Sequence, residues 1–417
     1  MMRIIINECK KALTSPILIA LFILFSAFNI FVIISSSDHK EELKMVNEII
    51  DQYGKDITDN SMERFESDIQ MDFAELSRMT GSEFTSVYEF LDGLRFEDQE
   101  KYNDEQWEFF NRLQLKEMYL NTAKSIDESY GEIDIRKTAE SEIKKYGLSG
   151  NAAETLMNEY DKFSERFDEM VNNGEHKQWF FAGKAYFMHS FLFKTVFLHI
   201  IIEALLLIVL STALITTYEF ENKTHLVAYS TKRGRKLMKN KLLASLAIAT
   251  TIIVFLFAIT LGTFFTVFDY SQIWNTSISS AFNWEYNFPY VAWWDLSVGT
   301  FLIGLIALVF IVLLLFVGLT FALSVVVKNS YITFFSIAAL FIFMWLLPSF
   351  MPTSSILLFV FAYTLPTLLL AIGSSFMGSS GLIMFENFEW MTISCWTVIT
   401  LAVSFMSYIR FKKIDIS

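Results

Sequence analysis

Few residues in this chain are of a type and spacing suited to chemistry. The five histidines, at positions 39, 176, 189, 199 and 225, form no cluster with metal-ligand spacing. The two cysteines, Cys9 and Cys395, are too far apart in context to suggest a redox pair, and both read as small apolar fillers. No G-x-x-x-x-G-K-[ST] loop, H-E-x-x-H or G-x-S-x-G motif occurs, so the chain has no P-loop of its own and no recognisable hydrolase signature. The exception is Glu203, with His199 one helical turn earlier, near the middle of a long apolar run. A carboxylate at that depth costs about 2.5–3.5 kcal/mol on insertion scales, so it must face a cavity or a partner. It could line a transport path or act as a lever in a gate, or it could simply hydrogen-bond a neighbouring helix. As an intramembrane catalytic pair, Glu203 and His199 lack a nucleophile. Lys194, nearer the end of the run, is expected to snorkel.

These residues must be positioned by membrane helices. The 417 residues are 53% hydrophobic and only 19% charged, with a mean hydropathy of +0.40. The apolar residues fall in blocks of roughly 20, the length a helix needs to cross a bilayer. The first block, Ile17–Ile34, is too long for a cleavable leader and has no A-x-A-like site, so it reads as an anchor. The expected spans are 15–35, 191–217, 242–267, 298–326, 331–347 and 392–409. Residues 1–14 precede them as an amphipathic interfacial helix with Arg3, Lys10 and Lys11 on one side. Between about 348 and 390 the chain is apolar but interrupted by Pro366 and GSSFMGSSG, which suggests a re-entrant or interfacial helix pair.

Residues 36–188 differ from the rest. The stretch 37–190 has 35 acidic and 18 basic residues, a net of −17, against a total of −12 for the chain. The remainder is therefore net positive, and the two parts are expected on opposite sides of a membrane. The stretch has no proline, and apolar residues recur at i, i+3 and i+4, as an all-helical domain requires. Its acidity could attract cationic peptides or serve solubility alone. The aromatic loop 268–296 could bind an amphipathic molecule, but its composition also suits an interfacial belt.

The loop 218–241, YEFENKTHLVAYSTKRGRKLMKNK, concentrates basic residues. Composition alone is accounted for by the positive-inside rule, which puts this loop, Lys10, Lys11 and Lys328 in the cytoplasm. With six crossings the final Arg410–Lys413 cluster is inside as well, and residues 36–188 are extracellular.

The order of residues in this loop resembles the coupling loop of ABC type 2 exporter permeases. Glu219, Glu221, Thr224, Ser230, Thr231, Arg233, Arg235 and Lys241 stand where that pattern has acidic, small, hydroxyl and basic residues. Glu8, Lys10, Lys11, Ser15 and Pro16 look like the family's connecting helix, and FKKIDI like its basic ending. The large acidic insertion departs from simpler members. The resemblance implies an all-α polytopic membrane protein of the bacterial cell membrane, with six transmembrane helices, a re-entrant pair and an inserted extracellular helical domain. It further implies a transport subunit and not an enzyme, with no cofactor in this chain. ATP would be hydrolysed on two copies of a cytoplasmic ABC ATPase docked at the loop. A second permease copy or a related permease would complete the path through the lipid bilayer, and nucleic acid has no part. The implied cargo is lipophilic or amphipathic (a peptide, an antibiotic or a lipid-like molecule), with resistance to antimicrobial peptides as one setting. The alternative is a membrane-anchored sensor or assembly protein whose outer domain binds a ligand or partner.

Overall fold

The structure, a computed structural model, describes residues 2–37, 40–95, 100–183, 189–230, 232–285, 288–378 and 381–413. Within these the chain is almost wholly helical, and the only paired strands are the two-residue β1 (Trp284–Glu285) and β2 (Phe288–Pro289). Six helices are long and apolar enough to cross a membrane: Pro16–Ser35, Phe191–Glu221, Leu237–Val267, Val298–Val327, Ser330–Phe350 and Phe388–Lys413.

The chain opens with α1 (Met2–Leu13) and the first span α2 (Pro16–Ser35), which begins with a proline after Ser15, where the missing N–H costs nothing. Among its described residues the acidic region then forms α3 (Lys40–Tyr53), α4 (Asp59–Thr80), α5 (Val87–Gly93), α6 (Asp104–Gly131), α7 (Ile135–Lys145) and α8 (Gly150–Asn173). Local chemistry sets their starts. Thr58 with Ser61, and Asn103 with Gln106, form reciprocal caps on α4 and α6, and the Asp134 carboxylate accepts from the backbone of Arg136 and Lys137 at α7.

The second span starts with a π-helical turn, Phe191–Val196, and continues as α9 (Phe197–Glu221). It runs one turn beyond the expected end at 217. Two short helices follow, α10 (His225–Tyr229) and α11 (Lys232–Arg235), and the third span, α12 (Leu237–Val267), begins five residues earlier than expected. The expected loop is therefore shortened to a tight helical link. The fourth and fifth spans, α13 (Val298–Val327) and α14 (Ser330–Leu346), are joined by Lys328 in a left-handed conformation, with Asn329 capping α14. Between spans five and six the described residues make short helical turns, among them α15 (Leu357–Val360) and α16 (Leu365–Leu370), before α17 (Phe388–Lys413).

α9 sits centrally, against α12, α13 and α14, while α13 also packs along α17. The α13–α17 contact is close because Gly318 has no side chain. A Cβ there would lie 2.4 Å from Thr400 Cγ2, and Ser404 donates to the Gly318 carbonyl at 3.1 Å.

One buried apolar cluster runs from the α3–α8 domain through the loop 268–296 into the spans. This alters the reading of the aromatic loop. Tyr270, Tyr290 and Trp293 are buried, and Phe282 packs on Trp179 and Tyr119 of the domain at 5.7 and 5.5 Å between ring centres. These aromatics form a joint between domain and spans and not a belt facing lipid; Tyr286 lies outside the described residues.

Candidate functional site

At the pole opposite the α3–α8 domain, four charged side chains from three helices meet below the surface. Lys241 of α12 is fully buried, and its ammonium contacts the Glu219 carboxylate of α9 and the carbonyl of Ile215. Glu8 of α1 lies 3.5 Å from the same ammonium. Lys11, one turn on from Glu8, binds both Glu8 oxygens at 2.8 Å and reaches Glu219 Oε1 at 2.7 Å. Tyr229 of α10 donates to Glu219 Oε2 at 2.9 Å. Two carboxylates and two ammonium groups balance, which is the condition for burying charge without a large penalty.

Burial works against the Lys11 ammonium, but its hydrogen bonds to Glu219 and Glu8 outweigh that and hold its pKa above the ordinary value. Burial, followed by the Glu219 charge, pushes the Tyr229 hydroxyl well up, so it remains a donor. Chemically the arrangement is a clasp. It fixes α1, the α9 end, the α12 start and the link between them as one body.

The other loop residues singled out from sequence serve the same pole. Glu221 accepts from the Ser330 backbone N–H at 2.6 Å, which ties the link to the fifth span. The Thr224 N–H donates to the Glu219 carbonyl at 2.9 Å and closes the turn after α9. Arg235 donates to the Lys412 carbonyl at 2.6 Å, joining α11 to the end of the sixth span. The Arg233 side chain and residue 231 lie outside the described residues. Gly234 has a steric reason to be glycine, since a Cβ there would stand 1.8 Å from the Ala228 carbonyl oxygen. A second small core, formed by Tyr229, Met238, Phe321, Val325 and Phe411, seals this pole.

Halfway along the bundle, Glu203 is buried and accepts from Asn29 Nδ2 of α2 at 2.7 Å. The same nitrogen reaches Thr260 Oγ1 of α12 at 3.1 Å, so three spans share one polar contact. His199 does not join it. Its ring tilts against Phe28, 5.3 Å between centres.

At the domain pole a second buried ion pair forms. Arg166 of α8 holds Glu175 through two hydrogen bonds, at 3.0 and 2.6 Å, and its Nε donates to the Ala292 carbonyl at 3.1 Å. Glu389, at the start of the sixth span, accepts from the Phe376 N–H at 2.6 Å and so satisfies a backbone group in the broken segment.

Sequence reasoning selected Glu219 and Lys241 but did not connect them to Glu8, Lys11 or Tyr229. The available signal was the i, i+3 spacing of Glu8 and Lys11 on an amphipathic helix. Asn29 was also missed, although it is the only amide within the apolar residues of α2. Among the described residues, no three His, Cys, Asp or Glu side chains converge as a metal site. No protein-family model, no curated protein and no solved structure matches this chain.

Proposed function

We propose that this chain is the membrane-spanning subunit of an ATP-driven exporter, with residues 222–236 docking a separate cytoplasmic ATPase. The observation that carries the reading is the clasp of Glu8, Lys11, Glu219 and Lys241. A force applied to the short link would reach α1 and the second and third spans through these contacts, and the fifth and sixth through Glu221 and Arg235. A loop that only satisfied charge asymmetry would have no need of such ties. The basic residues Lys10, Lys11, Arg235, Lys328 and Arg410 share that pole, which favours a cytoplasmic location by the positive-inside rule. The acidic domain would then be extracellular. ATP-driven closure would shift the link and bias the spans between two packings.

The test is affinity purification of the full chain from its native host under mild detergent. A P-loop ATPase should co-purify in stoichiometric amount, and Arg233→Glu with Arg235→Glu should remove it while the protein stays folded. Recovery of the chain without any such ATPase, or an unchanged yield of ATPase with the double variant, would defeat the proposal and leave the sensor reading in its place.

A further inference from the structure

The two halves of α1 do different work. The half turned to α9 and α12 carries the buried Glu8 and Ala12, and with Lys11 it holds the clasp. On the outer half, Met2, Ile6 and Leu13 are exposed along one line of the helix. Arg3 and Lys10, also exposed and two turns apart, form a second line beside it. Neither cation has an ion-pair partner among the described residues. The one carboxylate of α1, Glu8, is committed to Lys11 and Lys241 on the inner half.

An apolar groove of about 330 Å³ begins at the elbow between α1 and α2 and runs along the third span. Leu13 lines it at the elbow, with Leu18 and Phe22 of α2 and Ile248, Ile252 and Phe255 of α12. The stretch from Ile248 to Phe255 covers two turns, about 10 Å at 1.5 Å per residue. The single hydroxyl among the described lining, Thr251 Oγ1, donates to the Ala247 carbonyl of its own helix at 2.9 Å. Nothing in the groove therefore asks for a polar partner, and its occupant there is hydrocarbon.

We infer that an anionic phospholipid sits at this elbow, with one acyl chain in the groove and its headgroup against Lys10. Arg3, two turns along the same line, adds to the attraction. The groove lies on membrane spans, so a lipid chain enters it without leaving the bilayer. Leu13 belongs both to the groove and to the exposed stripe, and Lys10 stands one turn before it on the same side of α1. Chain and headgroup thus meet adjacent residues. Two cations with no free carboxylate beside them favour a headgroup of net negative charge, whereas a zwitterionic one would bring its own ammonium against them. The site needs no ATPase and stands apart from the coupling proposal.

The test uses the full chain in detergent, incubated with palmitoyl-oleoyl phosphatidylglycerol or the corresponding phosphatidylcholine, and reads retained lipid by native mass spectrometry. The wild type should retain the glycerol lipid about tenfold or more over the choline lipid, as two charges facing an anionic headgroup provide. Arg3→Gln with Lys10→Gln should bring its retention down to the choline level. Thr251→Trp should fill the groove and cut retention of the glycerol lipid by about tenfold. All three positions are exposed, so folding is not at risk. Equal retention of the two lipids by the wild type, or retention of the glycerol lipid unchanged by either variant, would overturn the inference. Displacement by soluble glycerophosphoglycerol at matching concentration would show a site for the free headgroup and defeat the commitment to lipid. A dimer in lipid-free detergent that Thr251→Trp separates would put a second copy in the groove, with the same result.

Discussion

Lys11 and Glu219 stand 208 residues apart in the chain and 2.7 Å apart in space. Their contact makes the N-terminal helix part of the machinery at the second span's end. Glu219 also binds Lys241 and Tyr229, so each member of the group depends on the others.

Replacing Lys241 with methionine should therefore destabilise the protein by about 3–5 kcal/mol, the usual cost of stranding a buried charge. Adding Glu219→Gln should recover part of that loss, because the stranded carboxylate is gone. Thermal unfolding of the single and double variants in detergent measures the coupling. Additive losses would mean that the two side chains do not act as a pair.

Asn29→Leu should leave the Glu203 carboxylate without its donor inside the bundle. The expected loss is about 1–3 kcal/mol. Glu203→Gln in the same background should restore much of it, since an uncharged amide tolerates the site better. If Asn29→Leu melts like the wild type, the contact shared by three spans has no energetic weight.

Arg166→Leu should loosen the domain from the loop it rests on. It removes both bonds to Glu175 and the bond to the Ala292 carbonyl, at about 3–5 kcal/mol. Arg166→Leu with Glu175→Leu should cost less than the single change. Limited proteolysis near residues 173–183 provides the readout, and faster cleavage in the single variant than in the double is the expected order.

His176 should make stability depend on pH. Its ring lies against Tyr130, 4.7 Å between centres, and burial, with Lys177 nearby, lowers its pKa from the ordinary 6.5; the Met170 backbone, then Asp127 and Glu175, oppose this only in part. The unfolded chain gains a proton below about 6.5 that the folded chain resists. The stabilising contribution is thus complete above that pH and is lost as the pH falls through the folded value. Melting temperatures between about pH 7.5 and about pH 5 should decline, and His176→Phe should flatten the decline. An identical slope in that variant would assign the pH effect elsewhere.

The helical character and the six candidate spans were legible in the sequence, because about 20 apolar residues in a row have few other uses. The ends of the spans were less so. Lys241 was placed at the last position of the loop 218–241, whereas Glu219 and Glu8 bury it within the first turns of α12. Glu203 was paired with His199 by helical spacing, yet its partner Asn29 comes from another span. Periodicity reports on one helix at a time and is silent on which helices touch. The aromatic residues of 268–296 posed the same difficulty, since a joint and a membrane belt draw on the same side chains.

That joint also governs what can be cut away. Trp179 is fully buried between Phe65 of α4 and Phe282 of the loop. The α8 start is hydrogen-bonded to the carbonyls of Thr353 and Ser354, and Glu159 accepts from the Glu386 N–H. A fragment containing only residues 36–188 would carry a raw apolar underside where these neighbours had been, and would be prone to clump. The acidic region is better regarded as a graft that has grown into its stock than as a bead on a string.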